Sequence, residues 1–267
     1  MENITICPVC GQELIDFQIK LECKNKHCFD KAKEGYTNLL NVKDKKSLNP
    51  GDNSLMINAR QNFLNKNYYK KLLDYLVEYI KTTNAKTILE CGAGEGYYIS
   101  QIQQQIEDSK CYAIDISKVA AKKCSKRNSQ VTTYVASSYN LPFKDNSMDL
   151  ILVCFAPFCE EEFERVLKKD GILVVVKPNK QHLIELRNIL YKGEEKVKNQ
   201  YGYNHFNMMK IDKLTYEFYI DNNNDIQNLF QMTPYVYKSN NESVDRLLDC
   251  DFLNVIADFE ISYLKKR

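Results

Sequence analysis

Cys7 and Cys10 bracket Pro8-Val9, and Cys23 and His27 follow after twelve intervening residues. Three thiols and one imidazole in two tight pairs have the ligand number and type of a closed tetrahedral zinc site. The stretch between the pairs is long enough for one short hairpin. Cys28 directly follows His27, so on spacing alone it is an alternative fourth ligand. A second group of residues suits a different chemistry. In Ile88-Leu89-Glu90-Cys91-Gly92-Ala93-Gly94-Glu95-Gly96-Tyr97 an apolar run ends in an acid and passes into glycines at alternate positions. Glycines there let the backbone approach a ligand closely or take positive φ. About twenty residues on, Ala113-Ile114-Asp115 ends the next apolar run, and a carboxylate in that place can accept both hydroxyls of a ribose.

Those residues need a sheet to carry them. Strand-like runs occur at 87–91, 110–115, 131–135, 149–155 and 172–177, separated by helical segments, which is the alternation of a parallel doubly wound sheet. Ahead of them Phe63, Leu64, Tyr68, Leu72, Leu73, Leu76, Val77 and Ile80 repeat with the period of one amphipathic helix over 63–80. Two further strand-like runs, near 214–220 and 254–264, flank a short helix. The dinucleotide fingerprint places its third glycine later, as G-x-G-x-x-G. The spacing here, with Asp115 and then Ala136-Ser137-Ser138 and Leu141-Pro142-Phe143, favours the layout of a class I S-adenosylmethionine-dependent methyltransferase over a nicotinamide enzyme. The predicted fold is therefore α/β, a Rossmann-like seven-stranded sheet with a small N-terminal zinc-binding module. The expected division is 1–42 for the module, 43–53 for a polar linker and 54–267 for the methyltransferase domain.

Composition excludes some classes and leaves others open. The chain has 267 residues, 44% hydrophobic and 27% charged, with no apolar run near membrane-spanning length and no signal-peptide pattern. Of its ten cysteines, Cys91, Cys111, Cys124, Cys154, Cys159 and Cys250 are scattered through apparent strands and helices, as expected of buried reduced thiols in a cytoplasmic protein. A net charge of +2 means that any nucleic-acid contact rests on local patches.

The chain resembles the RlmA (RrmA) family of 23S rRNA guanine-N1 methyltransferases over essentially its whole length. The resemblance is carried by the cysteine and histidine pairs, by Phe29-Asp30, Ala32-Lys33-Glu34-Gly35-Tyr36 and Asn38-Leu39-Leu40, and by Pro50-Gly51-Asp52 and Ala59-Arg60. It continues through Gly94-Glu95-Gly96-Tyr97-Tyr98, Ser117-Lys118-Val119-Ala120, Val135-Ala136-Ser137-Ser138, Ala156-Pro157, His182-Leu183 and Gln231-Met232-Thr233-Pro234. It implies Cys7, Cys10, Cys23 and His27 as the zinc ligands, S-adenosylmethionine as cofactor and a hairpin of 23S rRNA as partner. Family members pair as dimers with a shared cleft, which implies a homodimer that no residue read here fixes.

Gly92, Gly94, Glu95 and Asp115 are expected at the cofactor, and by resemblance Tyr69 and His182 face it as well, although His182 could instead simply cap the helix expected from Leu183 to Leu190. The loop after the fourth strand, Phe155-Ala156-Pro157-Phe158-Cys159-Glu160, is expected to border the acceptor. Phe155 or Phe158 could stack on an extruded guanine, or both could pack in the core. Glu160 is the nearest candidate for proton removal, although it also sits in the acidic first turn of a helix, where the dipole favours carboxylates. Lys118, Lys122, Lys123, Lys126 and Arg127 form a basic run that suits RNA or merely a solvated helix face. Lys20, Lys24, Lys26, Lys31 and Lys33, interleaved with Phe17, Phe29 and Tyr36, make the N-terminal module an expected rRNA-docking element. Arg60 is open to two readings, holding the cofactor's carboxylate or an RNA phosphate. Two other functions fit parts of the pattern: a small-molecule methyltransferase with a structural zinc module, and an RNA-binding protein without catalysis.

Overall fold

The computed structural model describes residues 3–44, 51–191 and 202–267. Residues 45–50 of the expected linker, Pro50 among them, lie outside the described residues. A three-stranded antiparallel sheet opens the chain: β1 (Leu14–Asp16), β2 (Lys20–Cys23) and β3 (Cys28–Asp30). The main sheet has eight strands. These are β4 (Thr37–Asn38), β5 (Thr87–Cys91), β6 (Lys110–Asp115), β7 (Thr132–Val135), β8 (Met148–Cys154), β9 (Leu167–Pro178), β10 (Phe206–Ile220) and β11 (Leu253–Lys266). Their spatial order is β10-β11-β9-β8-β5-β6-β7-β4, parallel except that β11 runs against both of its neighbours. The strand order reverses direction at β5, which opens a crevice beyond its C-terminal end, where open α/β sheets place their ligands.

The eighth strand is β4, from the N-terminal module. Thr37 and Asn38 pair in parallel with Tyr134 and Val135 of β7 at the sheet's edge. Seven strands are expected from the sequence; a two-residue strand has no periodicity to announce it, and β4 exists because β7 would otherwise present an unpaired edge.

Alternation along the central strands sends side chains to two different cores. Ile88, Leu150, Leu152, Val174 and Val176 face a layer of helices that includes α2 (Lys70–Thr82), α3 (Tyr97–Gln105) and α6 (Ile184–Leu190). Leu89, Cys91, Ile151, Val153, Leu173 and Val175 face the opposite way. There they join Phe163 and Val166 of α5 (Glu160–Val166) and Ile4, Cys7, Leu14, Leu21, Cys23 and Leu39 of the N-terminal module. The module therefore occupies part of the second covering layer and shares its core with the sheet.

The single helix expected over 63–80 is two helices, α1 (Ser54–Asn65) and α2. Lys66 and Asn67 donate back to Phe63 and Leu64 carbonyls, and Asn67 takes φ +64°. Asparagine tolerates that left-handed conformation better than other non-glycine residues, so the chain turns there without losing its apolar rhythm. The C-terminal part carries α7 (Asn223–Gln231) and α8 (Asn241–Leu248) between β10 and β11, two helices where one short one is expected. The remaining helix, α4 (Lys118–Arg127), joins β6 to β7. None of the ten cysteines is in a disulfide. Burial holds the thiols of Cys91, Cys111, Cys124, Cys154 and Cys159 above their ordinary pKa. Among the described residues no helix is long and apolar enough to cross a membrane.

Candidate active site and zinc centre

Two knuckles bring the four metal ligands together. After Cys7-Pro8-Val9-Cys10, Gly11 donates to the Cys7 carbonyl at 2.8 Å; after Cys23, Lys26 closes the matching turn on the Cys23 carbonyl at 2.8 Å. The ligand atoms of Cys7, Cys10, Cys23 and His27 all lie within 4.8 Å of one another. His27 Nδ1 is 3.5 Å from Cys7 Sγ, 3.3 Å from Cys10 Sγ and 3.5 Å from Cys23 Sγ, and the Cys10 and Cys23 sulfurs are 3.7 Å apart. A zinc tetrahedron with bonds of about 2.3 Å to sulfur and about 2.0–2.1 Å to nitrogen has edges of roughly 3.8 Å (S···S) and 3.6 Å (S···N). The cluster has that size and that donor set, so it fits zinc. Cys28, the alternative ligand on spacing, is exposed on β3 and outside the cluster. The Gln12 amide, with smaller help from His27 and the other thiols, brings Cys10 down to about 6, whereas burial pushes Cys7 up to about 11.

At the C-terminal end of β5 the backbone turns through Gly92 at φ +74° and Gly94 at φ +56°. A Cβ on Gly92 would come closer than 3.0 Å to the Cβ of Ala156, in the loop after β8. The glycine loop after β5 and the loop after β8 thus lie directly against one another, and the absence of a side chain at Gly92 is what allows it. Helix α3 begins at Gly96, an N-cap with no side chain to offer its amides. Glu90 supplies the acceptor instead: its Oε2 takes the Ile99 N–H at 2.9 Å. Burial raises the Glu90 carboxyl well above its usual range, with the Ile99 bond opposing and the Glu95 and Asp115 charges adding to the rise. In the sequence Glu90 is simply the acid that ends a strand; the glycine at the start of the following helix is the signal that a side chain from elsewhere must cap it.

Asp115 sits at the end of β6, beside the loop. Its Oδ2 accepts from Gly94 N–H and its Oδ1 from Ser117 N–H, both at 2.8 Å. Burial raises its pKa, against the pull of those two amides and of Arg60. Arg60, on α1, pairs with Asp52 at 2.6 Å and donates from Nη2 to the Met232 carbonyl at 3.3 Å. A Cβ on Gly94 would lie 3.6 Å from Arg60 Nη1.

An aromatic group borders the loop after β8. Phe155 has φ +55°, rare for a bulky residue, and the residue is 44% exposed. It stacks on His182 at 6.3 Å between centroids with 15° between planes, and lies near Tyr69 and Phe259. His182 Nδ1 accepts from the Asp258 N–H at 3.3 Å, which leaves Nε2 to carry the proton and donate to the Tyr69 hydroxyl at 3.3 Å. Burial lowers the His182 pKa to about 3, and it raises the Tyr69 phenol well above 10. Tyr69, Phe155 and His182 are brought together as one cluster.

Other expected residues go elsewhere. Phe158 is half-buried and packs edge-on against Phe163 and Tyr203. Glu160 is buried and its Oε1 accepts the His205 N–H at 2.7 Å. Glu95 is 1% exposed and paired with Arg127. In the basic run, Lys122 is paired with Glu34, Lys123 donates to Gln61, and Arg127 is held by Glu95 and Asn65; Lys118 and Lys126 are exposed. In the N-terminal module Lys20 and Lys26 are paired with Glu22 and Lys31 with Asp16, while Ile15, Phe17 and Ile19 are exposed. A hollow of about 720 Å³ lined by Ala85, Asp149, Lys168 and Gly171 opens at the other ends of β5 and β8, away from the glycine loop.

Comparisons with known proteins identify the two parts of the chain. Residues 5–48 match the family described as RlmA, N-terminal, a zinc ribbon, and residues 89–175 match a methyltransferase domain. The chain is 30% identical over 189 residues to the 23S rRNA (guanine(748)-N(1))-methyltransferase of Streptomyces fradiae, covering 69% of this chain and 66% of that one. It is 32% identical over 195 residues to a Bacillus subtilis protein named "Putative 23S rRNA (guanine-N(1)-)-methyltransferase", covering 69% and 68%. The chain thus spans about two thirds of the length of these relatives. Among solved structures, the geranyl diphosphate C-methyltransferase of Streptomyces coelicolor aligns with a TM-score of 0.43 at 12% identity, covering 73% of this chain and 76% of that one.

Proposed function

The chain belongs to the 23S rRNA (guanine-N1)-methyltransferase family with an RlmA-type zinc ribbon, and from that premise we infer that it methylates N1 of a guanine in a hairpin loop of 23S rRNA. The observation that supports the reading is a module holding a Cys3His cluster of zinc-tetrahedron size that adds strand β4 to the sheet whose glycine loop, at the C-terminal end of β5, is bordered by the exposed Phe155. S-adenosylmethionine, when bound, supplies an already activated methyl group, so the protein's task is alignment.

The residues divide that task. The backbone at Gly92 and Gly94 and the carboxylate of Asp115 hold the nucleoside end. Tyr69 and His182 present neutral, hydrogen-bonded faces to the crevice. Phe155 offers its exposed ring as the platform for an unpaired guanine, whose N1 is reachable only off the helix stack. Phe158, packed on Phe163, does not share that role. Guanine N1 carries a proton that must leave. His182 is held neutral with Nδ1 already accepting a bond, and Glu160 is engaged with His205. The Asp258 carboxylate behind His182 accepts from Asn179, Gln181 and Thr215. The proton is therefore assigned to solvent. Such a substrate puts the enzyme's work in the cytoplasm; pairing into a homodimer is taken from the family resemblance.

The test is mass spectrometry of 23S rRNA fragments after incubation of zinc-loaded protein with S-adenosylmethionine and unmodified rRNA. One methyl group on N1 of one hairpin guanine is expected. Phe155→Ala should lower the rate by roughly 5- to 150-fold, the range that follows from a base–aromatic stack of about 1–3 kcal/mol. Cofactor binding without any rRNA methylation would overturn the assignment.

A further inference from the structure

Arg60 stands where the sequence left two readings open, and the fold separates them. The guanidinium lies over the glycine loop, with Nη1 at 3.6 Å from the place a Gly94 Cβ would take. It is held from two sides, by Asp52 at 2.6 Å and by the Met232 carbonyl at 3.3 Å, so its position is defined by elements far apart in the chain. Asp52 is tied down in turn: its carbonyl accepts the Ser117 hydroxyl at 3.0 Å, next to Asp115. The segment Gly51–Asn53 thus forms a strap beside the crevice, tied to α1 by the Asp52–Arg60 ion pair and to the residues after β6 by the Ser117 hydroxyl.

The chemistry of the cofactor decides what a cation can do there. Adenine and ribose are uncharged, and the sulfonium and α-ammonium are positive and would be repelled. The α-carboxylate is the one anionic group of S-adenosylmethionine. A planar guanidinium is suited to a carboxylate because it can offer two parallel N–H donors. Its contacts with Asp52 and Met232 engage only part of that donor fork. We propose that Arg60 is the residue that binds the cofactor's α-carboxylate, and that Asp52 holds the guanidinium in place over the loop until the ligand arrives. The inference rests on the assignment of this crevice to S-adenosylmethionine, and it is independent of which acceptor is methylated.

The experiment is isothermal titration of the zinc-loaded full chain with two ligands. S-adenosylhomocysteine carries the amino-acid group; 5′-methylthioadenosine keeps the nucleoside and lacks it. Arg60→Gln is expected to weaken S-adenosylhomocysteine at least tenfold and leave 5′-methylthioadenosine within twofold. Arg60→Lys should recover part of the loss, since it restores charge without the fork. Asp52→Asn, which releases the guanidinium from its anchor, is expected to weaken S-adenosylhomocysteine by less than Arg60→Gln does and to leave 5′-methylthioadenosine within twofold. Equal losses on both ligands in Arg60→Gln would show a structural latch only and overturn the proposal. An unchanged S-adenosylhomocysteine affinity would overturn it too, and a weaker salt dependence of RNA binding in that variant would then assign the guanidinium to a phosphate. No RNA enters the titrations, so a failure of the rRNA reading does not affect their outcome.

Discussion

Replacing Gly92 by alanine tests the contact between the glycine loop after β5 and the loop after β8. The residue has φ +74°, where an L-residue with a Cβ costs about 1–2 kcal/mol. The new methyl would also come closer than 3.0 Å to the Ala156 Cβ, against about 3.5–4.0 Å for carbons in contact, and overpacking of this kind costs about 1–3 kcal/mol. Loss of unfolded-chain freedom returns about 0.4–1 kcal/mol. The expected net loss is therefore roughly 2–4 kcal/mol in urea unfolding, with weaker S-adenosylhomocysteine binding because the two loops are forced apart. A double-mutant cycle separates the causes. In an Ala156→Gly background the steric part vanishes, and Gly92→Ala should then cost only about 1 kcal/mol, a coupling of about 1–3 kcal/mol. Gly94→Ala is the control, since its φ is +56° but its nearest foreign atom is the flexible end of Arg60 at 3.6 Å. If Gly92→Ala is equally damaging in both backgrounds, within about 0.3–0.5 kcal/mol, the loops do not touch as described and the reasoning fails.

Glu90 provides a second test. Its carboxyl is raised by burial above the ordinary glutamate value of 4.5, so its contribution to stability is fully present below that pH and declines as pH rises toward the raised value. Glu90→Gln, which keeps the acceptor for Ile99, should gain on the unaltered protein as pH rises from 4.5 to 8 in thermal melts, whereas Glu90→Ala should lose roughly 1–3 kcal/mol at pH 4.5 by leaving the Ile99 amide unsatisfied, a deficit that narrows as pH rises. At the metal centre, Cys28→Ser should retain one zinc per chain by elemental analysis, while Cys23→Ser and His27→Ala should lose it and melt at lower temperature; an equal loss in Cys28→Ser would make Cys28 a ligand. His182 has the opposite sign to Glu90: its pKa is depressed from 6.5 to about 3, so its stabilising contribution is present above pH 6.5 and is lost as pH falls through the range between those values. Melts of His182→Gln against the unaltered protein should converge as pH drops from 7 to 4, and cofactor affinity should show no inflection near 6.5 from this residue.

The strands that carry the site are readable because they are buried on both faces and come as unbroken apolar runs. The expected 87–91 and 110–115 are the observed Thr87–Cys91 and Lys110–Asp115. What escapes is whatever depends on a partner distant in sequence. The periodicity through 63–80 continues across Asn67, where only a backbone reversal divides α1 from α2. Phe155 and Phe158 are the same residue type in one loop, and a φ of +55° at Phe155 is what turns one ring outward while the other packs on Phe163. Charge runs mislead for the same reason: Lys122, Lys123 and Arg127 look like a basic face until Glu34, Gln61 and Glu95 are found beside them. The order Cys23, His27, Cys28 offers two fourth ligands, and the pairing of Cys28 into β3 removes one of them.

The pairing of Thr37 and Asn38 with Tyr134 and Val135 also sets an order of assembly. During synthesis the metal-binding knuckles emerge first, and their four ligands are all present by residue 27. The partner edge for β4 emerges roughly 100 residues later, and such long-range pairings are slow because loop closure precedes any gain. Meanwhile Leu14, Leu21 and Leu39, buried in the finished protein against Tyr134 and Phe143, have nothing to cover them. A nascent chain of that length is exposed to wrong association. Zinc bound at this stage would tie the two knuckles together before β7 and its edge are made.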